Sequence, residues 1–132
     1  MLDGDTIFET DTIRHLVQSL RDPRVGAVSG NTKVGNRTCP LGRWQHLEYV
    51  SGFNLDCRLL DLLGCITTVP RAAGAFRRQA LVAAGGMSTD TLAKDTDITM
   101  AVLRAGHTVV HEECARAWTE APSTVTDLWR QR

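Results

Sequence analysis

Short apolar runs alternate along the chain with segments whose apolar residues recur every three or four positions. Strands from the runs and helices from the periodic segments predict an α/β layered fold. Leu2 reads as the end of a strand, and Asp3-Gly4-Asp5 as the turn that leaves it. Ile13, Leu16, Val17 and Leu20 fall at helical spacing, so an amphipathic helix with that face inward is expected. Thr10 or Asp11 can cap its start, and Pro23 ends it. Residues 25–33 read as a strand, with Gly30 and Gly35 as punctuation.

Residues 41–63 predict a long helix, with Gly52 as its point of interruption. Trp44, Leu47, Leu55, Leu59, Leu62 and Leu63 give it a broad apolar side. Such a side covers core, a partner helix or a membrane surface, and core is the expectation here. The run at 65–69, closed by Pro70, reads as a strand, and 75–77 as a shorter one. Residues 78–84 form a brief helix closed by Gly85-Gly86. The helix over 95–105 turns Ile98, Ala101, Val102 and Ala105 inward and stops at Gly106. Two strands follow, at 107–111 and 115–119, and 122–132 begins a last helix. Only Met1 and Leu2 stand for the first strand, and the last helix has no stop signal. A piece of a longer protein is therefore expected, because a parallel sheet that lost its neighbouring strands would expose core.

Fifteen basic and fifteen acidic side chains cancel, which removes the electrostatic argument for nonspecific nucleic-acid binding. The hydrophobic content of 42% supports a packed core. No apolar run approaches the roughly 20 residues of a membrane span. Met1-Leu2 runs into acidic residues, unlike a signal segment. Cys39, Cys57, Cys65 and Cys114 form no CxxC pair, so reduced thiols are expected. Thirteen of the fifteen basic residues are arginine, a side chain suited to phosphates and carboxylates.

Three clusters could carry chemistry. Asp3 and Asp5 flank a glycine at the carboxyl end of a strand, where open α/β sheets bind ligands. Two such carboxylates can hold a hard divalent cation that also takes diphosphate oxygens, or simply form an Asx turn. Asp90, Asp95 and Asp97 lie among Thr91, Thr96 and Thr99. They cap a helix, or one of them takes a proton from an attacking hydroxyl. Trp129-Arg130-Gln131-Arg132 is an exposed helix start, or an edge that contacts phosphates and sugar hydroxyls. His107 and His111 share one face of a strand without a third metal ligand, so they read as structural. Cys114 and Trp118 read as packing residues.

In order, these clusters resemble glycosyltransferase family 2, particularly its membrane-bound branch of cellulose, chitin, hyaluronan and poly-N-acetylglucosamine synthases. The matching stretches begin with Leu2-Asp3-Gly4-Asp5-Thr6, a DxD turn, and Gly30-Asn31-Thr32-Lys33-Val34-Gly35-Asn36-Arg37. Gly74-Ala75-Phe76-Arg77-Arg78 and the block from Thr91 through Lys94-Asp95-Thr96-Asp97 to Thr99 follow. Ala117-Trp118-Thr119-Glu120-Ala121-Pro122 and Trp129-Arg130-Gln131-Arg132, the opening of a QxxRW motif, complete the set. Together they cover nearly the whole chain.

The resemblance implies an incomplete GT-A (Rossmann-like) fold, with a mixed, mainly parallel sheet flanked by helices. Residues 1–132 would be the C-terminal, metal- and acceptor-binding part of a catalytic domain. It implies inverting transfer from a nucleotide-diphosphate sugar, UDP-GlcNAc or UDP-glucose, to a glycan or lipid-linked acceptor. By position, Asp3 and Asp5 would hold Mg²⁺ or Mn²⁺ with the diphosphate, and Asp95 would be the base. Gln131 and Arg132 would begin a segment that closes over donor and acceptor. The full protein would sit at the cytoplasmic face of the plasma membrane, anchored by segments outside this chain.

Lys94 departs from the family, which commonly has Glu just before the base. A lysine there favours the ionised form of Asp95 and lowers its basicity. It motivates a second reading, a degenerate, non-catalytic nucleotide-sugar-binding or interaction module. A haloacid-dehalogenase-like phosphatase also begins with two aspartates, but needs DxDxT. Ile7 stands where that hydroxyl belongs, with Thr6 one residue early.

Overall fold

The computed structural model describes residues 4, 6–36, 40–85, 93–122, 124, 126 and 129. Four strands, β1 (Thr6–Phe8), β2 (Val25–Val34), β3 (Gly74–Phe76) and β4 (Thr108–Thr119), form one sheet in the order β1-β4-β2-β3. β2 and β4 run parallel through nine paired positions, while β1 on β4 and β3 on β2 are antiparallel over three each. The sheet is thus mixed and mainly parallel by paired residues. Helix α1 (Thr12–Ser19) packs on one face. The other face carries α2 (Pro40–Glu48), a π-helical segment (Tyr49–Leu55), α3 (Asp56–Leu62), α4 (Arg78–Ala83) and α5 (Lys94–Arg104).

β2 reads as a central strand because every residue but Lys33 is buried. A parallel strand covered on both sides has no solvent face to mark with polar residues. Val28 packs with Leu16, Val25 and Ala115 on the α1 side, and Ala27 with Ile66, Val69, Val102 and Val109 on the other. Arg77 ties the β2 entrance to β3. Its Nε donates to the Val25 carbonyl at 2.9 Å, and its Nη2 donates to those of Leu20 and Asp22.

Several expectations change. β1 stands where the sequence predicts passage from the turn to the helix; three residues are too short for a period-two signal, and their pairing to 117–119 is long-range. In α1, Leu16 is buried but Ile13 and Val17 are more than half exposed. The inward position belongs instead to Thr12, whose Oγ1 donates to the Arg116 carbonyl. The segment 65–69 is not a strand. It crosses the helix-covered face, where the Val69 N–H is satisfied by the Thr99 hydroxyl at 3.0 Å rather than by a ladder. The strands read at 107–111 and 115–119 are one strand, starting at Thr108 after His107. Its register jumps from Gly30↔Glu112 to Asn31↔Arg116, so Glu113, Cys114 and Ala115 form a bulge between two ladder segments. Cys114 is exposed there instead of packed.

The largest change concerns 41–63. It is helical nearly throughout, and Gly52 falls inside the π-helical segment. Its apolar side does not form core: Trp44, Leu47, Leu55, Leu59, Leu62 and Leu63 are all at least 52% exposed. Among the residues whose burial is described, the buried positions are Gly42, Gln45, Asn54 and Cys57. They face a stretch of sheet that is itself polar, at Ser29, Asn31 and Lys33 of β2, so polar packs on polar. No described helix is long and apolar enough to cross a membrane.

His111 lies on β4, and among the described residues neither ring nitrogen has a hydrogen-bond partner. Burial pushes its pKa below the ordinary 6.5, against a smaller opposite pull from the Asp61 carboxylate. The unfolded chain therefore takes up this proton near pH 6.5, before the folded chain does. Stability is expected to fall as pH drops below that value, because the unfolded state then binds more protons. Urea midpoints at neutral and mildly acidic pH check this, and His111→Gln is expected to flatten the difference.

Candidate active site

Thr6 opens β1 opposite Thr119, and Val34 pairs with the same residue. The chain therefore enters β1 at the carboxyl ends of the two parallel strands, the edge where open α/β sheets bind ligands. Asp3 and Asp5 lie outside the described residues, as do Gln131 and Arg132. Gly4 is an exposed turn residue. Among the described residues, no group of three or more His, Cys, Asp or Glu side chains is placed to hold a metal.

Asp95 is described, half-buried in the first turn of α5. α5 ends at Gly106, whose φ of +86° suits a residue without a side chain, and the chain turns straight into β4. The helix thus runs opposite to β4. Val102 abuts Gly26 near the start of β2. Asp95 lies seven residues earlier, about 10 Å along the axis toward the carboxyl ends. Asp97 is exposed on the same turn, so both acids stand at the amino end of α5.

A pair of threonines holds that first turn. The Thr99 hydroxyl donates to the Asp95 carbonyl at 2.6 Å and accepts the Val69 N–H. The Thr68 and Thr96 hydroxyls lie 2.9 Å apart. The segment 66–70 is thereby tied to the backbone that carries Asp95. Thr99→Val would leave the buried Val69 N–H without its acceptor. A loss of about 1–3 kcal/mol is expected by urea denaturation, with Thr99→Ser retaining most of it.

Just past the same carboxyl ends, the Asn36 amide accepts from the Ala121 N–H at 2.8 Å and donates to its carbonyl at 2.6 Å. Two of the family-like stretches, around Asn36 and around Ala121, are joined by this clamp. Trp118 is half-buried, with its Nε1 on Glu9 at 3.2 Å and the Lys33 ammonium 5.7 Å from its ring centroid. Thr99 and Asn36 were not legible as site residues, because their partners lie 30 and 85 residues away.

The sequence model of the glycosyl transferase family group 2 matches residues 1–132. The chain belongs to this family. Poly-beta-1,6-N-acetyl-D-glucosamine synthase of Staphylococcus aureus (strain COL) is 31% identical over 99% of the chain, which spans 32% of that synthase. The synthase of the same name from Staphylococcus epidermidis is 30% identical over the same share. The chain thus spans about a third of the length of these relatives. A solved mannosyltransferase from Pyrobaculum calidifontis, in complex with GDP-Man and Mn²⁺, superposes with a TM-score of 0.74. It is 22% identical, and the match covers 98% of this chain and 34% of that one. The fold is therefore of the GT-A type expected for family 2.

Proposed function

We propose that residues 1–132 are the C-terminal, metal- and acceptor-binding part of a family 2 catalytic domain. That domain transfers a sugar, with inversion, from a nucleotide-diphosphate donor to a glycan or lipid-linked hydroxyl. The observation that carries the reading is Asp95. It is a half-buried carboxylate at the ligand-binding edge of the sheet, on a turn fixed by Thr99, inside a family-matched chain. A carboxylate so placed takes the proton of the attacking hydroxyl. Attack opposite the leaving group then inverts the anomeric centre, and no covalent intermediate forms.

Asp3 and Asp5 supply the oxygen donors that a hard divalent cation prefers, and would hold Mg²⁺ or Mn²⁺. Such an ion, when bound, offsets charge on the departing diphosphate. The GDP-Man and Mn²⁺ held by the mannosyltransferase support this assignment. Gln131 and Arg132 would contact donor and acceptor. UDP-GlcNAc is the preferred donor, on the likeness to the two poly-N-acetylglucosamine synthases. On the same likeness, the reading extends to a longer protein at the cytoplasmic face of the plasma membrane.

Calorimetric titration of UDP with and without Mn²⁺ tests the donor site, on this chain and on an N-terminally extended form. Mn²⁺-dependent binding that Asp5→Ala removes is expected; no binding in either form contradicts the assignment. The 132-residue chain alone is expected to transfer no sugar. A non-catalytic module is the rival, because Lys94 precedes Asp95. Turnover by the extended protein with Lys94 in place excludes it.

A further inference from the structure

Between the π-helical segment and the carboxyl-terminal halves of β2 and β4 lies a cavity of about 460 Å³. That volume is within the usual range of small-molecule sites. Asn31, Lys33 and Arg116 come from the sheet side, Ser51 and Asn54 from the π-helical segment, and Arg58 from α3. π-helical turns are uncommon and occur frequently at functional sites.

Two features define what the cavity can take. Asn31 is 4% exposed; its Nδ2 donates to the Glu113 carbonyl at 3.2 Å, but no donor reaches its Oδ1 among the described residues. A buried acceptor of this kind calls for a hydroxyl or N–H from elsewhere. The charges around it do not balance either. Arg58 is paired with Glu113, while no described carboxylate pairs with Lys33 or Arg116. A ligand matched to both features carries a hydroxyl and a negative charge.

We propose that this cavity binds an acidic saccharide, a hydroxylated ring bearing a carboxylate or a phosphate. A ring hydroxyl donates to Asn31 Oδ1, and the anionic group lies between Lys33 and Arg116. None of these residues belongs to the proposed catalytic or metal set, while Asn31 and Lys33 lie in the family-like stretch Gly30–Arg37 near the carboxyl ends of the parallel strands.

The test is titration of the full chain, followed by amide NMR, with glucuronate, glucose 6-phosphate, glucose and sulfate. At least one acidic sugar is expected to bind about tenfold tighter than glucose or sulfate and to shift the Asn31 side-chain amide. Which of the two binds identifies the acidic group. Arg116 is exposed, so Arg116→Gln spares the core and is expected to weaken that binding about tenfold, and Lys33→Gln in parallel. Equal binding of glucose or sulfate, no shift at Asn31 with either acidic sugar, or unchanged affinity in both variants would overturn the proposal.

Discussion

In a longer protein that transfers sugar through this chain, Asp95→Asn is expected to lower kcat by about 10²–10⁴-fold, the usual worth of a positioned base. The amide is nearly isosteric and cannot take the proton. Donor KM should change little, because the variant leaves the Asp3 and Asp5 turn intact. Folding should change little as well. As an acid in the first turn of α5, Asp95 is worth about 0.3–1 kcal/mol through the helix dipole. Steady-state kinetics with saturating donor, beside an unfolding curve, separate the two effects. A kcat within about threefold of the parent would remove Asp95 from the mechanism.

Gly30→Ala is expected to produce a clear loss of stability. A Cβ at this position would lie 2.8 Å from the Ala73 carbonyl oxygen, 2.9 Å from that of Ala115 and 2.9 Å from the Ala73 Cβ. Two of the three obstacles are backbone atoms, in the β4 bulge and in the short 3₁₀ turn Arg71–Ala73, so no side chain can swing away. Overpacking of this kind costs about 1–3 kcal/mol. A lower urea midpoint with unchanged slope is the expected signature. Gly52→Ala is the control. Nothing lies within 4 Å of a Cβ there, and a near-neutral effect is expected.

The periodic, well-buried elements were legible in the sequence. α5 and β2 lie within a residue of their expected bounds, because Ile98 and Val102 repeat at helical spacing and β2 is buried on both faces. Legibility failed where a polar residue took a core position. Thr12 is fully buried because its hydroxyl meets a carbonyl 104 residues away, and no local pattern announces that. The helix over 40–62 was legible as a helix, but its buried face was not, for the same reason on a larger scale. Its polar side packs on a polar stretch of β2, and hydrophobic periodicity points such a helix the wrong way round. In the candidate site, Asp95 stood out as an acid at a helix start, and only the family resemblance made it a base. Thr99 and Asn36 act through partners that the fold alone brings near.

The most direct test of the central claim is the anomeric configuration of the product, read by proton NMR after turnover of an α-linked UDP-sugar with Mn²⁺ by the extended protein. Single displacement with Asp95 as base predicts a β-linked product from the first turnover. An α-linked product would require a covalent intermediate or a front-side path, and would contradict the account.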